Sequence, residues 1–278
     1  MSQRLSASQL KRNRLCTRIL QYEVVEGRRD DDVTTVELAR GSAVHVATAA
    51  NLEHWLTAGR YMAPKRLVQT AADAWESQAF AVEAWADGAQ RGKVKDNVIL
   101  MSLVHAKQIA QDVQPLEVEK KVRAYVPEVG TVISGRIDVV SAPVFVATSR
   151  GPAGEQHAAA ALRQIRDTKT RDDAPPASPE ENDADQLATY YLIGQANGEP
   201  DPDLLADYLW PADGGKARAL RVEDLRERVP RLVEDYRDLV RMYETGLFPR
   251  TGRGSWICRP GKCTHYDYCV LGSGRTDL

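Results

Sequence analysis

Alternation of apolar and polar residues places a β-sheet in the middle of the chain. Between Leu116 and Val126 five of the six alternate positions are apolar, with Lys120 as the exception, and four of the five positions between them are charged. Side chains alternate across a strand, so this segment predicts a strand with one buried face. Shorter runs of β-branched and apolar residues predict further strands at 135–140, 144–147, 165–170, 206–210 and 217–222.

Apolar residues at helical spacing lie before and after the predicted sheet. They predict helices at 5–25, at 185–196 and at 230–244, and a helical block at 38–112 that is inserted ahead of the sheet. The aromatic residues Trp75, Phe80 and Trp85 lie in this block and are predicted to be core residues. Helices flanking a sheet indicate an α/β fold. We interpret residues 1–278 as a single domain with its sheet core at 116–222.

Composition excludes several classes of protein. The chain of 278 residues has a formal net charge of −2, so nucleic acid could be bound only through a local basic patch. No apolar run approaches the ~20 residues needed to span a membrane. The first residues also lack the apolar segment of a secretory signal, so we expect a cytoplasmic protein that does not bind membranes.

Two of the predicted strands each contain one aspartate. Asp138 follows Gly135-Arg136-Ile137, and Asp167 is followed two residues later by Lys169. Asp167 and Lys169 point to the same side of a strand because side chains alternate. If the two strands are neighbours, both carboxylates can bind one Mg²⁺ or Mn²⁺ ion beside the lysine ammonium group.

These motifs resemble the PD-(D/E)XK nuclease superfamily, specifically its RecB-like branch. The resemblance rests on the Gly-Arg-Ile-Asp segment at 135–138, the Asp-x-Lys segment at 167–169 and the Gln-x-x-x-Tyr pair at 186 and 190. It implies a restriction-endonuclease-like mixed sheet flanked by helices.

The resemblance also implies roles for individual residues. The Gly-x-x-x-His segment from Gly41 to His45 matches a family motif whose histidine helps to bind the metal. The implied metal ligands are His45, Asp138, Asp167 and the carbonyl group of Thr168. Lys169 is expected to orient or activate a water molecule, and Gln186 and Tyr190 to position DNA. Glu119 could extend the acidic cluster, but a charged residue on the polar face of a strand needs no special role, so it is interpreted as structural. His54 and His105 match no motif and are interpreted as structural or surface residues.

The four cysteines form a second candidate site. Cys258, Cys263 and Cys269 lie within twelve residues near the C-terminus, whereas Cys16 lies in the first predicted helix. Their spacing suits either zinc, with His265 as a further ligand, or an iron–sulfur cluster. RecB-like nucleases of the AddB and CRISPR-associated types have one cysteine before the nuclease core and three after it. The resemblance therefore implies a [4Fe–4S] cluster at a C-terminal cysteine staple, with zinc as the lesser alternative.

The expected function is that of a metal-dependent DNA exonuclease. The resemblance implies action on single-stranded DNA or on free DNA ends, in recombination, repair or end processing, with a recombination or helicase protein as partner. An exonuclease is favoured over an endonuclease. The alternative is a catalytically weak DNA-binding or assembly protein that retains the nuclease fold and the iron–sulfur cluster.

Overall fold

The structure, a computed structural model, describes residues 4–28, 35–82, 88–142, 163–251, 255–259, 263, 265–266 and 269. Its helices are α1 (Ala7–Leu15), α2 (Thr17–Leu20), α3 (Val36–Ala58), α4 (Pro64–Ala79), α5 (Gly88–Gln108), α6 (Glu181–Ala196) and α7 (Leu225–Thr245). Its strands are β1 (Leu5–Ser6), β2 (Gln114–Val126), β3 (Thr131–Ala142), β4 (Gln164–Thr170), β5 (Asp203–Trp210) and β6 (Lys216–Arg221). The six strands form one mixed sheet flanked by helices, which confirms the predicted fold class.

Strand β3 organises the sheet because three other strands pair with it. Along one edge β2 runs antiparallel to it, from the pair Val126–Thr131 to the pair Gln114–Ala142. On the other edge β1 pairs in parallel near Ile133, and β4 pairs antiparallel near Val140. The sheet then continues through β5, parallel to β4, and β6, antiparallel to β5.

Helices cover both faces of this sheet. Leu209 of β5 packs in a cluster with side chains of α3, α4 and α5. Its neighbours Tyr208 and Trp210 belong to a different cluster, which contains Leu187 and Tyr190 of α6. Since adjacent residues of a strand point to opposite faces, α3 and α6 lie on opposite sides of the sheet. Two helices from opposite faces can therefore direct side chains to the same part of β3 and β4.

The N-terminal segment differs from the single helix predicted at 5–25. Leu5 and Ser6 form β1, and the Ser6 hydroxyl caps α1 by accepting a hydrogen bond from the Gln9 amide at 3.3 Å. Cys16 then has extended backbone angles (φ −167°, ψ 121°) and separates α1 from α2. After α2 the chain forms a π-helical turn at Gln21–Val25. The prediction that Cys16 lies within a helix was therefore wrong, because periodicity does not detect a one-residue break.

The helices before the sheet are α3, α4 and α5. The prediction that Phe80 lies in the core was wrong. Trp75 is fully buried, whereas Phe80 follows the end of α4 and is 92% exposed. Leu116 is also exposed, because an irregularity between Pro115 and Glu117 shifts the start of β2.

Later elements agree with the predictions, with shifted ends. Helices α6 and α7 each begin several residues before their predicted starts, and Gly246 ends α7 with the predicted left-handed conformation at φ 68°. Trp85 and the strand predicted at 144–147 lie outside the described residues. Within the described part of the chain, no helix is both long and apolar enough to cross a membrane. The assignment of residues 1–278 to one domain stays a prediction.

Candidate metal and active site

Asp138 and Asp167 meet where β3 and β4 stop pairing. The last pair of this antiparallel ladder is Val139 with Arg166, and the next pair in register would be Asp138 with Asp167. Instead of a ladder bond, the Thr168 amide donates a hydrogen bond to Asp138 Oδ2 at 2.8 Å. The strands predicted from the two motifs are thus neighbours, and the two aspartates occupy facing positions in their register.

Lys169 and Gln186 hold the carboxylate of Asp167. Lys169 Nζ lies 2.6 Å from Asp167 Oδ2, and Gln186 Nε2 donates to Asp167 Oδ1 at 2.9 Å. Lys169 also donates to Gln186 Oε1 at 2.6 Å, which closes a ring of three side chains. Gln186 projects from α6, so this helix and β4 together fix the orientation of both charged groups.

Burial and neighbouring charges shift the pKa values of Asp167 and Lys169 in opposite directions. Burial raises the pKa of Asp167 to about 6, although the nearby Lys169 ammonium group opposes the increase. Burial alone would lower the pKa of Lys169, but the carboxylates of Asp167 and Asp183 raise it above its usual value. Lys169 is therefore an ammonium group at neutral pH.

Tyr190 fixes Gln186 from one helical turn further along α6. Gln186 Nε2 donates to the Tyr190 hydroxyl at 2.8 Å, and this hydroxyl donates to the Arg136 carbonyl oxygen at 2.7 Å. A Cβ atom at Gly135 would lie 2.6 Å from Tyr190 Cε1, so the tyrosine ring needs the glycine at this position. Tyr190 is only 3% exposed, and its contacts position Gln186.

His45 reaches Asp138 from α3, on the other face of the sheet. His45 Nδ1 lies 3.1 Å from Asp138 Oδ2. Burial lowers the pKa of His45, but Asp138 outweighs this effect and raises it overall. Burial likewise raises the pKa of Asp138, and contacts with His45 and the Thr168 amide more than reverse that effect, so this pKa is lowered. One turn before His45, a Cβ atom at Gly41 would lie 3.3 Å from Thr170 Oγ1, so the glycine allows α3 to approach β4 closely.

Glu119, which the sequence interpretation assigned a structural role, lies close to His45 and Asp138. One ligand atom from each of His45, Glu119 and Asp138 lies within 4.8 Å of the other two. The missed signal was the hairpin register. The turn at 127–130 joins β2 to β3, and counting outward from it places Glu119 opposite Asp138.

The chemistry of these donors fits a divalent cation. Carboxylate oxygens suit Mg²⁺ and Mn²⁺, and Mn²⁺ also accepts imidazole nitrogen. Among the described residues, the group whose ligand atoms lie close enough to share one cation contains His45, Glu119 and Asp138 but not Asp167. The Asp167 carboxylate is held instead by Lys169 and Gln186. A ligand role for the Thr168 carbonyl stays a prediction.

Arg166, which directly precedes Asp167 on β4, is a buried charge that pairs with the buried carboxylate of Asp207. Arg166 is buried and binds Asp207 with two nitrogens, Nε at 2.9 Å and Nη2 at 2.7 Å, while its Nη1 donates to Gln164 at 2.9 Å. His105 of α5 is buried near Arg166, and His54 Nδ1 donates a hydrogen bond to the Arg60 carbonyl oxygen at 2.8 Å. Neither histidine belongs to the group of His45, Glu119 and Asp138.

All four cysteines line one pocket, although Cys16 is far from the others in the sequence. The pocket is also lined by Tyr22 and His265, whose rings lie 5.2 Å apart between centroids. None of the four cysteines, each of which the structure describes, forms a disulfide. Burial raises the pKa of the Cys258 and Cys263 thiols, which opposes their ionisation. The donor set fits a metal or a metal–sulfur cluster with four thiolate ligands.

Comparisons with known proteins agree with this geometry. The family model described as the PD-(D/E)XK nuclease superfamily matches residues 4–270. Among solved structures, a proposed exonuclease from Eubacterium rectale resembles the chain with a TM-score of 0.55 at 11% sequence identity. The match covers 99% of this chain and 88% of that protein, and at this identity it shows a shared fold. A search of curated proteins finds no match.

Proposed function

Because the chain belongs to the PD-(D/E)XK nuclease superfamily, we propose that it is a DNA exonuclease of the RecB-like branch that depends on Mg²⁺ or Mn²⁺. The proposal extends to a role in recombination, repair or the processing of DNA ends. The observation that carries it is the convergence of His45, Asp138, Asp167 and Lys169 where β3 and β4 stop pairing.

His45, Asp138 and Asp167 are the residues that would hold the cation, with the Thr168 carbonyl group as a further candidate. A bound Mg²⁺ or Mn²⁺ ion would supply Lewis-acid stabilisation to the oxygens of a phosphodiester group. Asp138 is suited to this position because its lowered pKa keeps it ionised. The three residues come from α3, β3 and β4, so the folded sheet and its covering helix preorganise them.

Lys169 would stabilise the negative charge that develops on the phosphate during attack by water. Its raised pKa means that it keeps its proton, so it acts as a fixed cation and orients water without removing a proton. The Gln186 amide fixes both Lys169 and Asp167, and Tyr190 fixes Gln186. Gln186 is the member of this pair that we propose to contact DNA, because Tyr190 is almost completely buried.

We further propose that Cys16, Cys258, Cys263 and Cys269 hold a [4Fe–4S] cluster. All four line one pocket, and the extended backbone at Cys16 places this residue between α1 and α2. The cluster would tie the N-terminal segment to the C-terminal one. Iron and acid-labile sulfide in anaerobically purified protein, measured beside zinc, test this part. Stoichiometric zinc without sulfide would contradict it.

Cleavage of end-labelled linear DNA tests the nuclease proposal. We expect the wild type to degrade single- or double-stranded linear DNA with Mg²⁺ or Mn²⁺ and to leave closed circular DNA intact. Asp167→Ala should abolish cleavage, whereas Asp173→Asn, which changes an exposed carboxylate nearby, should not. DNA binding without cleavage by the wild type would favour the alternative of a DNA-binding or assembly protein.

A further inference from the structure

Glu119 lies beside the proposed cation site, and the motifs of the sequence give it no role. The pairs Val118–Val139 and Lys120–Ile137 of the β2–β3 ladder place Glu119 directly opposite Asp138. Glu119, Asp138 and His45 each bring one ligand atom within 4.8 Å of the others.

The placement of Glu119 is unfavourable without a cation. Like charges directly opposite each other on neighbouring strands repel, and the register places Glu119 and Asp138 in such positions. The backbone of Glu119 also has a φ of +52°, a left-handed conformation that residues other than glycine rarely adopt.

The ion pair that Glu119 makes offsets little of this cost. Glu119 Oε2 lies 2.8 Å from Arg136 Nε, but the Arg136 side chain is 63% exposed. Ion pairs exposed to this extent contribute little to stability. A divalent cation between the carboxylates of Glu119 and Asp138 would turn their repulsion into attraction, and its preference for oxygen ligands fits both groups.

We propose that Glu119 is a further protein ligand of the divalent cation, on the side of Asp138 that faces His45. Arg136 is then its partner only in the metal-free protein, and the cation displaces the guanidinium group. This inference rests on the proposed function, because it assigns a residue to the same metal site.

Binding of Mn²⁺ to the full chain, measured by calorimetry without DNA, tests the assignment. Glu119→Gln removes the charge and keeps the size and the oxygen that faces Arg136. We expect it to weaken Mn²⁺ binding at least about tenfold, since loss of even outer-sphere partners of a metal has effects of 10- to 100-fold. Glu117→Gln is the matched control. It lies two residues away on β2, pairs with Lys120 at 2.9 Å and should bind Mn²⁺ as the wild type does.

Thermal unfolding separates a ligand from a merely structural residue. If Glu119 is a ligand, the melting temperature of Glu119→Gln without metal should be no lower than that of the wild type, because the repulsion of Asp138 is removed. Its melting temperature should also rise less than that of the wild type when Mn²⁺ is added. A structural partner of Arg136 would show the reverse, with a lower melting temperature and an unchanged gain, and that result would overturn the proposal.

Arg136→Gln decides the question if Glu119→Gln does not fold. It removes the competing guanidinium group, so Mn²⁺ should bind at least as tightly as to the wild type, and weaker binding would overturn the proposal. If the wild type binds Mn²⁺ and cuts DNA while Glu119→Gln binds Mn²⁺ equally well, the assignment of Glu119 alone is refuted. If the wild type does neither, the proposed function is refuted with it.

Discussion

At the scale of single residues, burial determines which groups make the stability depend on pH. His105 of α5 is 2% exposed, and its pKa is lowered to about 3 by burial and by the nearby Arg166 guanidinium group. A histidine with a lowered folded-state pKa contributes stability that is present above its unfolded value of about 6.5 and is lost as the pH falls.

We therefore expect the free energy of unfolding to decrease between pH 6.5 and pH 4.5 by on the order of 2 kcal/mol from His105 alone. His105→Gln should make this part of the pH dependence less steep. His54→Gln, at a partly exposed position, is the control and should leave it unchanged. Urea unfolding at several pH values measures the difference, and equal slopes in the wild type and His105→Gln would contradict the explanation.

Residue types alone predicted some of the site and missed the rest for physical reasons. The Asp-x-Lys spacing placed Asp167 and Lys169 on one side of β4 because strands alternate. Glu119 was interpreted as structural because its position opposite Asp138 depends on the register between β2 and β3, which residue type does not give. Phe80 was assigned to the core by its type, but the end of α4 turns it into solvent.

At the scale of helices and strands, the contact between α6 and β3 determines the geometry of the site. Tyr190 of α6 packs against the bare backbone of Gly135 in β3, and its hydroxyl holds both Gln186 and the Arg136 carbonyl group. Any displacement of α6 from β3 therefore also displaces Gln186, and with it Lys169.

Gly135→Ala should disturb this contact, because its Cβ would lie 2.6 Å from the tyrosine ring. We expect a loss of about 1–3 kcal/mol of stability and a decrease of about 10- to 100-fold in cleavage rate. Gly92→Ala is the control, since nothing lies within 4 Å of a Cβ atom there, and it should stabilise α5 by about 0.5–1 kcal/mol. Nuclease activity of Gly135→Ala equal to that of the wild type would contradict the role of this contact.

The pattern of apolar residues predicted most elements and failed where they end. Helix α6 begins earlier than its apolar stripe because its first-turn residues are polar, and α7 begins before its predicted start because Pro230 lies inside the helix. The break at Cys16 was invisible to a periodicity that continues on both sides of it. The break results instead from tertiary contacts. Strand β1, before α1, pairs with β3, and Cys16, directly after α1, lines the cysteine pocket.

At the scale of the whole molecule, one buried carboxylate links the N-terminal helix to the two helices behind the site. Asp185 of α6 is 3% exposed and forms ion pairs with Arg14 of α1 and Arg228 of α7. It immediately precedes Gln186, and Arg14 lies two residues before Cys16. This network therefore connects the cysteine pocket to the helix that positions the active-site residues.

Asp185→Asn should destabilise the protein by about 3 kcal/mol, because two arginines lose a buried partner. Asp235→Asn is the matched control. Asp235 binds the same Arg14 at 2.6 Å but at a more exposed position, so the loss should be at most about 1 kcal/mol. Urea unfolding measures the free energy of unfolding of both variants. Equal losses of stability would contradict the claim that the buried ion pairs of Asp185 contribute more than the exposed pair of Asp235.

The measurement that tests the central claim most directly is single-turnover cleavage of end-labelled linear DNA by Lys169→Met, alongside Mn²⁺ and DNA binding by the same variant. Lys169→Met removes the ammonium group and keeps a side chain of similar length. The account predicts that this variant still binds Mn²⁺ and DNA but cuts at least about 100-fold more slowly than the wild type, because charge stabilisation at the phosphate is lost. Cleavage by Lys169→Met at the wild-type rate would contradict the assignment of this site as the catalytic centre.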